Sequence, residues 1–492
     1  MQQVKPAMGT GYLEGVALAQ RSWAATPLRM RARLMGRLRR RIASSARELA
    51  ETVPTSLPGA LNRTVADTLV SEVLPLVEAC GFLEREASWI LAPRHLGGSG
   101  RPLWMMSVST EVERAPWGIV LVLAAGNYPL LLPGVQTLQA LMAGNAVLLK
   151  PAPGTETVAF ALQTLLVECG LPPELLTLLD SSVEAGIDAI TAGVDHVVLT
   201  GSAATGKAVM HQLADTLTPS TMELSGCDAV FVLAGADVEH TVRALAMGMR
   251  FNGSFTCMAP RRVFLVGMKE SAALDFETRL AGALMDVPPV PLPGRTFGLL
   301  RELVQDAQKQ DAEILLNGIR SEDGSTFLAS VTLIAQATPS LLSMQMDIFA
   351  PILSVMRTSD MEEALAASAA CPYALTASVF GPQREARSMA AKVRGGNVLI
   401  NDVMIPTADP RVAFGGRGCS GFGVTRGVEG LLAMTTPKTI QTQRSRSGRA
   451  YEPTTEGHVE LFAGLTQMLH AGGLSARFAG LKRMVGAARK LK

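Results

Sequence analysis

No Cys-x-x-Cys pair and no cysteine–histidine cluster at metal-ligand spacing occurs in the 492-residue chain. Its six cysteines, at 80, 169, 227, 257, 371 and 419, are scattered. Reduced thiols of an intracellular protein are therefore expected, with no disulfide framework and no metal site. Charge of one sign is not in excess either: 45 Lys and Arg face 43 Asp and Glu, a net +2. That excludes nucleic acid as partner of the whole chain, and no nucleic-acid-binding motif is present. The first residues, Met1-Gln2-Gln3-Val4-Lys5-Pro6, contain no apolar h-region, so a cytoplasmic location is expected. No internal repeat is apparent.

What is present is a globular composition, 48% apolar and 18% charged, in a chain too long for one hydrophobic core. The longest uncharged stretch, Ala115 to Leu149, is long enough to span a bilayer. It is broken by Asn127, Pro129, Pro133, Gln136 and Gln139, and reads better as a buried strand, a helix-like segment and a second strand.

Residues 11–54 carry helical periodicity with many arginines, read as a solvated face. After residue 115, strand candidates 118–123, 147–150, 176–179, 196–200 and 229–233 alternate with helical stretches, the pattern of βαβ units. A second α/β region begins near 235, with candidates at 262–266, 330–334, 352–356, 377–380 and 397–400. Residues 441–453 are polar and read as a linker. Beyond them, 471–492 contains Arg477, Lys482, Arg483, Arg489, Lys490 and Lys492 and no acidic residue. Leu474, Phe478, Leu481, Val485 and Leu491 recur there at helical spacing. This basic amphipathic helix suits either an anionic membrane surface or packing against the protein itself.

Nine short segments stand in a fixed order. Ala115-Pro-Trp-Gly-Ile-Val is followed by Gly126-Asn127-Tyr-Pro129, then Gly144-Asn-Ala-Val-Leu-Leu-Lys150-Pro151 and Thr200-Gly201-Ser202-Ala-Ala-Thr-Gly206. Met222-Glu223-Leu224-Ser-Gly226 and Phe251-Asn-Gly-Ser-Phe-Thr-Cys257 come next. Asp347-Ile-Phe349-Ala-Pro351, Gly396-Asn-Val-Leu-Ile-Asn401 and Phe414-Gly-Gly-Arg-Gly-Cys-Ser420-Gly421 close the series. Each alone is weak, but the ordered set, from about residue 11 to 440, resembles the aldehyde dehydrogenase superfamily.

The residue types suit that chemistry. Cys257 would attack the aldehyde carbonyl as thiolate, the most nucleophilic side chain near neutral pH, and its thioester can still be hydrolysed. Asn127 and the Cys257 N–H would donate to the oxyanion, and Glu223 would activate the deacylating water. The resemblance implies NAD or NADP as cofactor, held by Lys150, Gly201, Ser202, Leu224, Asp347 and Phe349. It also implies an α/β fold with a Rossmann-type cofactor domain over 1–234, a catalytic domain over 235–434, and an oligomerisation strand and linker over 435–450. A basic tail fills 451–492. A small β extension, near 107–115 and 435–442, would make a homodimer.

Departures fall at the cofactor site. Pro153 stands where the family usually has a ribose-binding Glu, which removes a repulsion against the 2′-phosphate of NADP. Asp347 is shorter than the usual Glu, and Ser225 replaces a glycine. Leu131, Leu132, Val135, Phe255 and Met258, at tunnel positions, carry no charge, which suits an apolar aldehyde. Three readings stay open: a hydrolytic dehydrogenase, a CoA-acylating relative, and a non-catalytic binding protein.

Overall fold

The computed structural model describes residues 10–55, 63–322, 326–444, 451 and 453–491. Residues 1–6, part of the 441–453 linker and Lys492, all named above, lie outside them. The chain divides into two compact units, 1–93 with 113–438 and 94–112 with 439–492.

Among the described residues the two largest sheets of the larger unit are open. In the first, parallel strands lie in the order Leu176–Leu178, Ala146–Lys150, Ile119–Leu123, His196–Gly201 and Ser220–Leu224. Gly421–Phe422 closes its edge antiparallel. The uncharged stretch is resolved here: every residue of Ile119–Leu123 and of the following helix Leu131–Ala143 is buried. Elements covered on all sides avoid charge all round, not along one stripe, and the buried Gln136 and Gln139 amides donate to Thr200 Oγ1 and the Gly427 carbonyl. Gly144, at φ 103°, ends that helix in the left-handed conformation that suits glycine.

The second sheet has seven strands, ordered Glu313–Leu316, Thr332–Ala335, Ile352–Thr358, Pro260–Val266, Asp228–Leu233, Thr376–Phe380 and Asn397–Ile400. All pairs are parallel except the first. The change of sheet falls between Leu224 and Asp228, so the strand expected at 229–233 belongs to the second sheet. The arginine-rich helix Leu28–Ser44 is not wholly solvated: Arg31 is buried, and Arg37 Nε donates to the Cys169 carbonyl at 2.7 Å.

In the smaller unit, Arg94–Leu96 pairs antiparallel with Thr110 to Val112. The strand Val108–Pro116 lies between Arg94–Leu96 and Thr435–Gln443 in a three-stranded sheet. The basic tail is the second arm of a helical hairpin, Gly457–His470 and Leu474–Lys490. Glycine allows the two backbones to approach: a Cβ on Gly464 would sit 2.5 Å from Met484 N, and one on Gly480 2.4 Å from Met468 N. Among the described residues no helix is long and apolar enough to cross a membrane.

Candidate active site

The first sheet has a topological switch point between Ile119–Leu123 and His196–Gly201, because successive strands leave Ile119–Leu123 in opposite directions. Ligands of open α/β sheets lie at the carboxyl ends of strands at such a point. Lys150 ends one neighbouring strand and Gly201 the other. Ser202 caps the helix Ala203–Thr216, its hydroxyl accepting from Thr205 N at 3.1 Å. The remaining N–H groups of that first turn can receive a pyrophosphate. A Cβ on Gly206 would sit 2.7 Å from Leu224 Cδ1, so this glycine lets the helix approach Leu224. Lys150 is half-buried, and burial lowers its pKa against the opposing charges of Asp180 and Glu156. These groups fit a dinucleotide.

Beyond Leu224, the Gly226 N–H donates to the Cys257 carbonyl at 3.2 Å. Cys257 follows a tight turn, Phe251–Ser254, in which Asn252, Gly253 and Ser254 have φ of 52°, 58° and 67°. Two of these residues have a Cβ, so the conformation must be held from outside. Two buried arginines do so. Arg261 donates to Ser254 Oγ at 2.6 Å and to the Ser254 carbonyl at 2.7 Å. Arg63 donates to Asn252 Oδ1 at 2.6 Å and to the Asn127 carbonyl at 2.9 Å.

Arg63 is paired with Glu72, both buried. The second Glu72 oxygen accepts from Leu130 N at 2.7 Å and Leu131 N at 3.0 Å, where a helix begins and negative charge is favoured. A buried pair like this is costly to break because either partner alone would be an uncompensated charge. Its geometry ties the Asn127 loop to the nucleophile turn. Asn127 Nδ2 donates to the Phe255 carbonyl at 3.2 Å, which leaves the second amide hydrogen for another acceptor. Phe349 brings its ring centroid within 6.2 Å of that of Phe255.

Glu223 is buried near the end of Ser220–Leu224. One carboxylate oxygen accepts from Thr425 Oγ1 at 2.5 Å, and the other has no partner among the described residues. Burial pushes its pKa up, against the Arg426 charge and the Thr425 hydrogen bond. Burial, then the carboxylates of Glu223 and Asp228, push the Cys257 thiol well up, and Arg426 opposes them. Arg426 itself lies 4.3 Å over the Phe414 ring and donates to the Thr407 carbonyl at 3.0 Å. The sequence-predicted trio thus shares one small region with Asp347, whose pKa burial raises to about 6.

The aldehyde dehydrogenase family description matches residues 13–440. The chain belongs to the aldehyde dehydrogenase family. Its reaction is the oxidation of an aldehyde with NAD or NADP. Among its relatives, 4,4'-diapolycopene aldehyde oxidase of a Methylomonas species is 28% identical over 95% of this chain and 89% of that protein. The putative succinate-semialdehyde dehydrogenase (NADP(+)) 2 of Mycobacterium ulcerans is also 28% identical, over 87% of this chain and 82% of its own length. A solved putative aldehyde dehydrogenase from Burkholderia cenocepacia superposes with a TM-score of 0.77 at 27% identity, covering 88% and 92% of the two chains. Betaine aldehyde dehydrogenase from Staphylococcus aureus, solved with NAD+, gives 0.81 at 22% identity over 90% and 89%, which speaks for the fold alone.

Sequence reasoning missed five side chains of this dehydrogenase: Arg63, Glu72, Arg261, Thr425 and Arg426. The available signal was a single acidic residue inside the apolar run Leu69-Val70-Ser71-Glu72-Val73-Leu74, since a lone buried charge demands a partner.

Asp228 supplies a test of the electrostatics. It accepts from Thr376 N at 3.0 Å and Thr376 Oγ1 at 2.7 Å, yet burial raises its pKa to about 7. A carboxyl with a raised folded pKa contributes stability that is fully present below its ordinary value near 3.8 and is lost as pH rises through about 7. Asp228→Asn has the same shape and no charge, and its amide can still donate to Thr376 Oγ1. Calorimetry should show a higher Tm than wild type at pH above about 7, an advantage that shrinks on acidification. A lower Tm at alkaline pH would show that Asp228 is stabilised as a charge.

Proposed function

We propose that Cys257 is the nucleophile, Glu223 the base and Asn127 the oxyanion donor of this dehydrogenase. Lys150, Gly201, Ser202, Leu224, Asp347 and Phe349 bind NAD or NADP. The observation that supports this best is convergence: the Asn127 amide donates to the Phe255 carbonyl, two residues before Cys257, and the charge of the buried Glu223 carboxylate raises the Cys257 thiol.

In this reading Cys257 loses its proton to solvent and the thiolate Sγ bonds to the aldehyde carbon. Asn127 Nδ2 and the Cys257 N–H hold the oxyanion. The nicotinamide supplies the hydride acceptor. Glu223 then removes a proton from water, whose oxygen attacks the thioester, and the thiolate leaves as the acid forms. The Glu223 oxygen with no partner among the described residues favours hydrolysis over transfer to CoA. Pro153, in place of a ribose-binding carboxylate, supports acceptance of NADP beside NAD.

An apolar aldehyde suits the substrate side. Leu131 and Val135 are buried and uncharged, and they line a cavity of about one water's size with Phe82, Leu83, Gln139, Pro410 and Arg426. Among the described residues its one cation, Arg426, is already engaged with Phe414 and Thr407. Reduced-nicotinamide absorbance with a medium-chain alkyl aldehyde and with succinate semialdehyde, under each cofactor, tests this. The alkyl aldehyde should have the higher kcat/KM by about tenfold or more; preference for the carboxylated substrate would overturn the apolar assignment.

The proposed setting is a cytoplasmic homodimer. Its contact lies on the three-stranded sheet, whose strand Thr435–Gln443 is exposed from Pro437 onward. Peripheral membrane contact runs through 471–492.

A further inference from the structure

The hairpin packs through its small residues. In Leu474–Lys490 the buried positions are Gly480 and Ala487, one heptad apart, which places them on one side of the helix. Leu474, Phe478, Leu481 and Val485 recur at i, i+4, i+7 and i+11 and are exposed, Leu474 by 87% and Phe478 by 57%. At 100° per residue this stripe lies on the side away from Gly480 and Ala487. Hairpin packing therefore leaves the apolar stripe outward.

Charge flanks it. Arg477 lies along one edge and Lys482 and Arg489 along the other, all exposed. Arg483 is paired with Glu460 at 2.5 Å, whereas Arg477, Lys482 and Arg489 have no carboxylate partner among the described residues. The Lys482 ammonium lies 5.0 Å over the Phe478 ring. An apolar stripe between unpaired cations is complementary to a surface with anionic groups outside and hydrocarbon beneath, into which such a helix sinks about 5–10 Å.

We infer that the outer face of Leu474–Lys490 is an interfacial docking surface for an anionic lipid bilayer, with Phe478 and Leu481 as the inserting residues and Lys482 and Arg489 as headgroup contacts. The inference rests on the peripheral reading of 471–492 and is independent of the catalytic roles. The glycine-locked hairpin holds this face open instead of burying it. It would bring the enzyme to the phase into which apolar aldehydes partition.

Co-sedimentation of the full chain with vesicles of phosphatidylcholine alone, and of phosphatidylcholine mixed with phosphatidylglycerol, tests it. Wild type should sediment with the anionic vesicles only, and added salt should release it. Phe478→Asp with Leu481→Asp should abolish sedimentation. Lys482→Glu with Arg489→Glu should weaken partitioning by roughly tenfold or more. All variants alter exposed positions, so turnover of a water-soluble aldehyde should match wild type and certify folding. Equal sedimentation of variants and wild type would overturn the assignment of this face while leaving peripheral binding intact. If wild type bound neither vesicle, the peripheral reading would fall with it. A change in oligomeric mass caused by Phe478→Asp would make the stripe a contact between chains and overturn the inference as well.

Discussion

Cys257→Ala should lower kcat/KM for aldehyde oxidation by about four orders of magnitude or more, since removing a covalent nucleophile leaves only binding and oxyanion stabilisation. Cofactor binding, measured by quenching of intrinsic fluorescence, should be unchanged, because the proposed dinucleotide contacts lie on the first sheet and at Asp347 and Phe349. Five other cysteines are present, of which Cys80, Cys169, Cys227 and Cys371 are buried. Residual cysteine-dependent turnover in the variant would therefore point to Cys419. The pH dependence has a definite sign. Burial and the neighbouring carboxylates hold the Cys257 thiol above its ordinary value, so the thiolate fraction, and the rate of alkylation by iodoacetamide, should climb as pH rises from neutral into the alkaline range. A rate already flat at pH 6 would mean that the resting nucleophile is ionised.

Glu223→Gln should reduce steady-state turnover by about two to four orders of magnitude, the usual range for loss of a positioned base. The informative quantity is the first turnover. If Glu223 serves mainly to deprotonate the deacylating water, rapid mixing should show a burst of reduced cofactor close to one per site, followed by a slow steady rate. Loss of the burst along with the steady rate would mean that Glu223 also takes the Cys257 proton. Glutamine preserves the Thr425 hydrogen bond, whose donor lies 2.5 Å from the carboxylate, so the variant removes proton affinity and little else. A steady rate restored by added CoA would favour the acylating reading.

Much of this was legible in the chain itself. The strand at 119–123 and the helix beyond it are buried on every side, and a fully buried element avoids charge all round, so the stretch from Ala115 to Leu149 carried its own meaning. The ordered motifs named Asn127, Glu223 and Cys257, and Asn127 is bonded to Phe255, two residues before Cys257. Asp228–Leu233 opens the second sheet, which the chain alone did not mark, because a strand that begins one sheet looks like one that ends another.

What the sequence determined was the class of chemistry: a cysteine, a carboxylate and an amide in family order, with a strand–helix turn suited to a dinucleotide. Tertiary structure alone decided what supports them. Arg63 and Glu72 act on Asn127 and Asn252 across as many as 189 residues of sequence. Thr425 reaches Glu223 across 202, and periodicity carries no record of partners that distant. The hairpin illustrates the same limit. Its sequence showed an amphipathic helix but not which side would be covered, because that depended on Gly464 and Gly480 letting two backbones meet. Local pattern records which side chains prefer to leave water; only the packed chain determines which of them do.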